Sequence, residues 1–212
     1  KGADIDGEAA DDRSGWSVSM PDANTVAIGA YQNGGNGNDA GHVRIYVWNE
    51  VAWIQKGGDI DGEVAEDLSG HAVSMPDANT VAIGAHRNDA GSYHAGHVRI
   101  YFWDGLNWVQ KGDDIDGEAA DDYSGSAVNM PDANTVAIGA WGNDGNDLNA
   151  GHVRVYTWDG VTWTQKGIDI DGEAANDEFG YSISMPDANT IATGAHRADG
   201  TGFLGEVKTK TD

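Results

Sequence analysis

The 212 residues contain no cysteine, which excludes disulfide staples and zinc–thiolate centres and leaves the redox compartment open. Basic residues are scarce: 12 Lys+Arg stand against 35 Asp+Glu, a formal net charge of −23. Such a surface repels phosphate backbones and anionic lipid, so nucleic acid and membrane are excluded as expected partners. Divalent cations, basic surfaces and solubility in salty water are what it favours. No apolar run approaches the ~20 residues that cross a bilayer, and no signal peptide is read. A chain that opens on Lys1 rather than Met reads as a processed or excised product. Helical spacing is missing as well. Catalytic signatures are equally thin: there is no HExxH and no nucleophile elbow, and the paired carboxylates are too repetitive to single out an acid/base couple. A non-enzymatic protein is expected.

What the chain does have is repetition. KGxDIDGE begins at Lys1, Lys56, Lys111 and Lys166, and MPDANT at Met20, Met75, Met130 and Met185. AGHVR begins at Ala40, Ala95 and Ala150, and the last copy reads GEVKTKT from Gly205. The copies span 1–55, 56–110, 111–165 and 166–212.

Within a copy the pattern is that of strands. SVSM at 17–20 alternates polar and apolar residues. PDAN reads as a turn, with Pro presetting φ and Asp and Asn tolerating left-handed backbone. TVAIGA at 25–30 is a second strand, followed by a loop rich in Gly, Asn and Asp. GHVRIYVW at 41–48 is a third, meeting a fourth at 51–57 through Asn49-Glu50, or through Asp-Gly in copies two and three. Four short antiparallel strands repeated at a fixed step make a propeller blade, because one sheet cannot cover both of its faces alone. The expectation is an all-β, single-domain, four-bladed β-propeller over 1–212. Copy four lacks its fourth strand, so the N-terminal segment or a strand from another chain is expected to complete it. Head-to-tail self-association follows from that unpaired edge.

The run DEFGYSISMPDANTIATGAH, Asp177 to His196, resembles the FG-GAP repeat of integrin α-subunit propellers and many bacterial surface proteins. Phe179-Gly180 is the namesake pair, with Gly194-Ala195 where the family has Gly-Ala-Pro. The other copies keep Ser14-Gly15, Ser69-Gly70 and Ser124-Gly125, and Gly29-Ala30, Gly84-Ala85 and Gly139-Ala140. The resemblance implies a propeller, an extracellular or cell-surface location, and adhesion or binding rather than catalysis. Integrin propellers have more blades than the four copies here. Their calcium loop between the first two strands is replaced by PDAN, so calcium there is not implied.

The acidic loops are the candidate metal ligands: Asp4, Asp6 and Glu8; Asp59, Asp61 and Glu63; Asp114, Asp116 and Glu118; Asp169, Asp171 and Glu173. Calcium wants six to eight hard oxygens from a flexible loop, which Asp-x-Asp-Gly-Glu supplies in part. The competing reading is that these acids cap turns while Ile5, Ile60, Ile115 and Ile170 fill the interior. The Trp residues flanking the hairpins read as cross-strand packing. His42, His97 and His152 read as strand histidines beside a carboxylate, with metal ligation the alternative. Arg44, Arg99 and Arg154, with Lys208 in copy four, are expected to pair with the acidic loops. Tyr31, His86, Trp141 and His196, which follow the Gly-Ala pairs, are the candidate contacts for a glycan or protein ligand.

Overall fold

The computed structural model describes residues 1–198 and 206–211. No helix occurs among them, so none is long and apolar enough to cross a membrane. Blade one holds β1 (Ser17–Asp22), β2 (Thr25–Ala30), β3 (His42–Trp48), β4 (Trp53–Gln55) and β5 (Ile60–Asp61). Blade two repeats it as β6 (Ala72–Asp77), β7 (Thr80–Ala85), β8 (His97–Trp103), β9 (Trp108–Gln110) and β10 (Ile115–Asp116). Blade three follows as β11 (Ala127–Asp132), β12 (Thr135–Ala140), β13 (His152–Trp158), β14 (Trp163–Gln165) and β15 (Ile170–Asp171). Blade four has β16 (Phe179–Asp187), β17 (Thr190–Ala195) and β18 (Glu206–Thr211). The chain is all-β, and its sheets succeed one another as propeller blades.

Two local details differ from the strand reading. PDAN is not wholly a turn: the first strand runs on through Pro21 and Asp22, with a register shift after Ser19, and Asp22 already pairs with Thr25. The Asp22 carboxylate accepts the Asn24 N–H at 2.6 Å, so a side chain closes the tip. The fourth strand is broken in two. β4 pairs with the far half of β3, and after Lys56-Gly57, where Gly57 has φ +80°, β5 pairs with His42 and Val43 at the near end.

Burial falls between blades. One cluster joins Ala27, Val43, Ile45 and Ile60 of blade one to Met75, Val81, Ile83 and Tyr101 of blade two. The same positions join blades two and three, and a third cluster around Phe179, Met185 and Ile191 joins three and four. The first strands run side by side in the order β1, β6, β11, β16. Hydrogen bonds cross there: Met75 N–H donates to Ser19 Oγ and Met130 N–H to Ser74 Oγ, both at 2.9 Å. The paired glycines work at this seam. A Cβ on Gly29, Gly84 or Gly139 would be driven onto the carbonyl of Gly70, Gly125 or Gly180 in the next blade.

The N-terminal segment does not complete blade four. The Lys-Gly segments of the first three copies each latch onto the outer hairpin of the blade they precede. Lys56 Nζ reaches Ala78 O and Asn79 Oδ1 and lies 5.0 Å over Trp103, while Trp108 Nε1–H donates to Lys56 O. Lys1 does the same on Ala23, Asn24, Trp48 and Trp53, which fixes it to the front of blade one. The fourth sheet has three strands among the described residues, in the order β16-β17-β18. Among the described residues no core cluster joins blade four to blade one.

Candidate functional site

The acidic residues of one loop divide between two places. Asp59 reaches back to His42 of blade one, whereas Glu63, four residues on, reaches forward to Arg99 and His97 of blade two. Three repeated clusters result: Glu8–His42–Asp59, Glu63–His97–Asp114 and Glu118–His152–Asp169, each offering ligand atoms within 4.8 Å of one another. His42 Nδ1 lies 3.8 Å from both Glu8 and Asp59, and His152 Nδ1 lies 4.0 Å from Glu118 and 3.9 Å from Asp169. Those separations exceed a hydrogen bond. The histidines are fully buried, and burial, opposed by Asp59 and Glu8, holds His42 below the ordinary imidazole range; His97 is lowered to about 4.

Each cluster is flanked by an arginine. Arg44, Arg99 and Arg154 lie 3.5, 3.4 and 3.3 Å from Glu8, Glu63 and Glu118, and donate to the backbone carbonyls of Asp6, Asp61 and Asp116. The pairing of these arginines with the acidic loops is therefore met. The carboxylates of Asp61 and Asp116 are raised by burial and by the charge of Asp59 and Asp114. Asp4, at the front of blade one, and Glu173 are exposed and join none of these clusters, and Asp171 pairs across the sheet with His152. Gly205 lies outside the described residues, as do the side chains of Glu206 and Lys208.

A second concentration of chemistry lies where the first strands begin. Tyr31, His86, Trp141 and His196 come from separate blades, yet rings between them link the first three into a rail. Trp16 meets Tyr31 at 4.9 Å, Tyr31 meets His71 at 5.7 Å, and His71 meets His86 at 4.1 Å. His86 meets Tyr123 at 6.1 Å, and Tyr123 stacks on Trp141 at 4.4 Å and 5°. His196 pairs with Tyr181 at 4.1 Å. The bridging rings Trp16, His71, Tyr123 and Tyr181 went unremarked in the sequence; their signal was aromatic character just after or before the Ser-Gly and Phe-Gly pairs. Burial lowers His86 to about 2, helped by His71 and Arg87.

A family model described as the FG-GAP repeat matches residues 5–46, from the acidic loop of copy one into β3. Copy one therefore carries an FG-GAP repeat. No curated protein matches the chain. The geometry gives this repeat a physical content. The first motif glycine is the close-approach point of one blade, and the Gly-Ala glycine is the surface of the previous blade that receives it. Phe179 is 1% exposed at the last seam, where Ser69 and Ser124 serve the earlier two. FG-GAP repeats make propeller-like adhesive or binding modules and are typical of extracellular or surface proteins.

Proposed function

We propose that this chain is a non-catalytic adhesive or structural module of the cell exterior that joins a second copy of itself, blade to blade, head to tail. The observation that supports this is the pair of unmatched faces at the ends of the row. Met20 is 55% exposed and Val18 61%, whereas Met75, in the same position of blade two, is 5% exposed against the blade before it. At the other end Val207 is 70% exposed, whereas Val43, Val98 and Val153 are fully covered by the blade that follows. The two faces are copies of surfaces that already meet three times inside the chain, so each is preformed for the other. Association is then face on face rather than by donation of a strand.

Sedimentation velocity on the full chain tests this. The wild type is expected to form oligomers that grow with concentration, and Val18→Asp with Met20→Asp is expected to leave a monomer with an unchanged circular dichroism spectrum. A monomeric wild type at high concentration in salt defeats the reading.

A second reading is favoured by the aromatic rail. Trp16 is exposed at one end of it, Tyr181 is exposed in the separate pair with His196, and exposed rings are what sugars stack on. Glycan binding that is lost in Trp16→Ala but kept in Met20→Asp would put the ligand on the rail rather than the blade face.

A further inference from the structure

A buried imidazole normally finds a hydrogen-bond partner for its ring nitrogens. Two of the three strand histidines break that rule in the same direction. Nδ1 of His42 and Nδ1 of His97 are buried with no hydrogen-bond partner, and each is aimed at carboxylates too far away to bond and too near to ignore. His97 Nδ1 is 3.6 Å from Asp114, and Nδ1 of His152 faces its two carboxylates in the same way. Three ligand atoms that face one another without bonding, repeated in each of three blades, form an arrangement that packing does not account for.

The dimensions account for it. In blade one two sides of the ligand triangle are 3.8 Å and the third is at most 4.8 Å. The centre of such a triangle lies no more than about 2.5 Å from its corners, within reach of the bond from a first-row divalent ion to imidazole nitrogen or carboxylate oxygen. We propose that Glu8–His42–Asp59, Glu63–His97–Asp114 and Glu118–His152–Asp169 are three equivalent binding sites for a divalent transition ion of the Zn2+ or Mn2+ class. The donor set decides the class: one neutral imidazole with two carboxylates suits borderline ions, whereas calcium takes oxygens throughout.

The surroundings support each ligand. Arg44 engages Oε1 of Glu8, which leaves Oε2 facing the imidazole, and Arg99 and Arg154 sit beside Glu63 and Glu118 in the same way. Fixing of a ligating carboxylate by a neighbour is how metal sites are held in shape. Gln55 Nε2–H donates to Asp59 Oδ1 at 2.6 Å, leaving Oδ2 for the site; Gln110 and Gln165 do the same for Asp114 and Asp169. Burial keeps the imidazoles neutral, the form with a lone pair to give. Ions have a way in, because Asp59 and Asp114 also line open clefts beside Trp108 and Trp163. The ligands of each site come from the acidic loop entering a blade, its third strand and its broken fourth strand. A bound ion therefore ties the entering loop to the blade.

The test is isothermal titration of ZnCl2 into the full chain after EDTA treatment and dialysis, near neutral pH. Three equivalents are expected. Asp59→Asn, a change at a half-exposed residue outside the core, is expected to lower this to two. Asp59→Asn/Asp114→Asn/Asp169→Asn is expected to abolish it with the circular dichroism spectrum unchanged. Co2+ in place of Zn2+ is expected to show visible absorption that disappears in the same triple variant, and long-range 1H–15N spectra are expected to show Nδ1 of all three histidines shifting on Zn2+ addition. Absence of Zn2+ uptake, uptake unchanged in the triple variant, or imidazole signals that do not move would each overturn the proposal.

Discussion

Even a single methyl group is more than the blade seams can hold. At Gly84 there is no room for one, because the backbone of Gly125 in the next blade occupies the space. Gly84→Ala is expected to cost about 2–3 kcal/mol, the usual penalty of overpacking, as the two sheets are pushed apart. Gly58, with nothing near its Cα in the Cβ direction and no positive φ, is the matched control: Gly58→Ala is expected to stay within about 0.5 kcal/mol. Urea denaturation of the two variants checks both, and a Gly84→Ala as stable as wild type would remove the seam explanation of the motif. His86 gives the second residue-scale expectation. It faces His71, Arg87 and His94, none of which welcomes a second positive charge, and its folded pKa of about 2 lies below the unfolded value of 6.5. Above pH 6.5 both states hold it neutral and nothing is lost. As the pH falls below 6.5 the unfolded chain takes up a proton that the folded chain refuses, so stability drops until the pH nears 2. Between pH 7.5 and 5.5 this site is expected to cost about 1.4 kcal/mol. Thermal melts of wild type and His86→Gln at the two pH values measure it; equal losses would show that protons reach the folded imidazole freely.

Strands were the most legible elements, and the reason is their period. TVAIGA recurs in three successive copies with β-branched residues on both faces, and the third strand sets Val43 and Ile45 on one face against His42, Arg44 and Tyr46 on the other, an apolar or amphipathic pattern that suits a sheet buried on both sides. The short strand β5 was hidden, because its two residues, Ile60 and Asp61, sit inside a motif that reads as a ligand loop. The split of the acidic loop was hidden for a related reason. Asp59 and Glu63 are neighbours in sequence, but the loop passes from one blade to the next between them, so local spacing predicts one chelate where geometry makes two half-sites. The histidine and the carboxylates of each cluster were visible singly, but not which of them meet, since they come from segments brought together only by the β3–β5 pairing. Turn chemistry was legible at the outer hairpin, though not at PDAN, where the strand runs on through Pro21 and Asp22. At the outer hairpin Asn49 and Asp104 each accept two backbone N–H bonds, and the next residue takes φ +78° at Glu50 and +103° at Gly105. A side chain in that region is strained and glycine is not. Glu50→Gly is therefore expected to stabilise blade one by about 0.5–1 kcal/mol, net of the entropy that glycine costs. The same change in melting temperature with opposite sign in Gly105→Glu would complete the argument.

At the scale of the whole molecule, two forces act against each other on the proposed assembly. The end faces are apolar and shaped for contact, while a charge of −23 spread over 212 residues repels every approaching copy. Screening decides the balance: the Debye length shrinks from about 30 Å at 0.01 M salt to about 10 Å at 0.1 M. Burial of Val18, Met20 and Val207 is indifferent to simple salt at these concentrations, whereas the repulsion fades. Oligomer formation is therefore expected to strengthen as NaCl rises from 0.01 to 0.5 M, and sulfate at equal ionic strength is expected to strengthen it further by favouring apolar contact. An interface held by ion pairs between the acidic loops and the few lysines would weaken over the same range. Weight-average mass by sedimentation equilibrium at three salt concentrations separates the two, because they predict slopes of opposite sign. A falling mass would place the contact on the charged loops and leave the open face of blade one for another occupant.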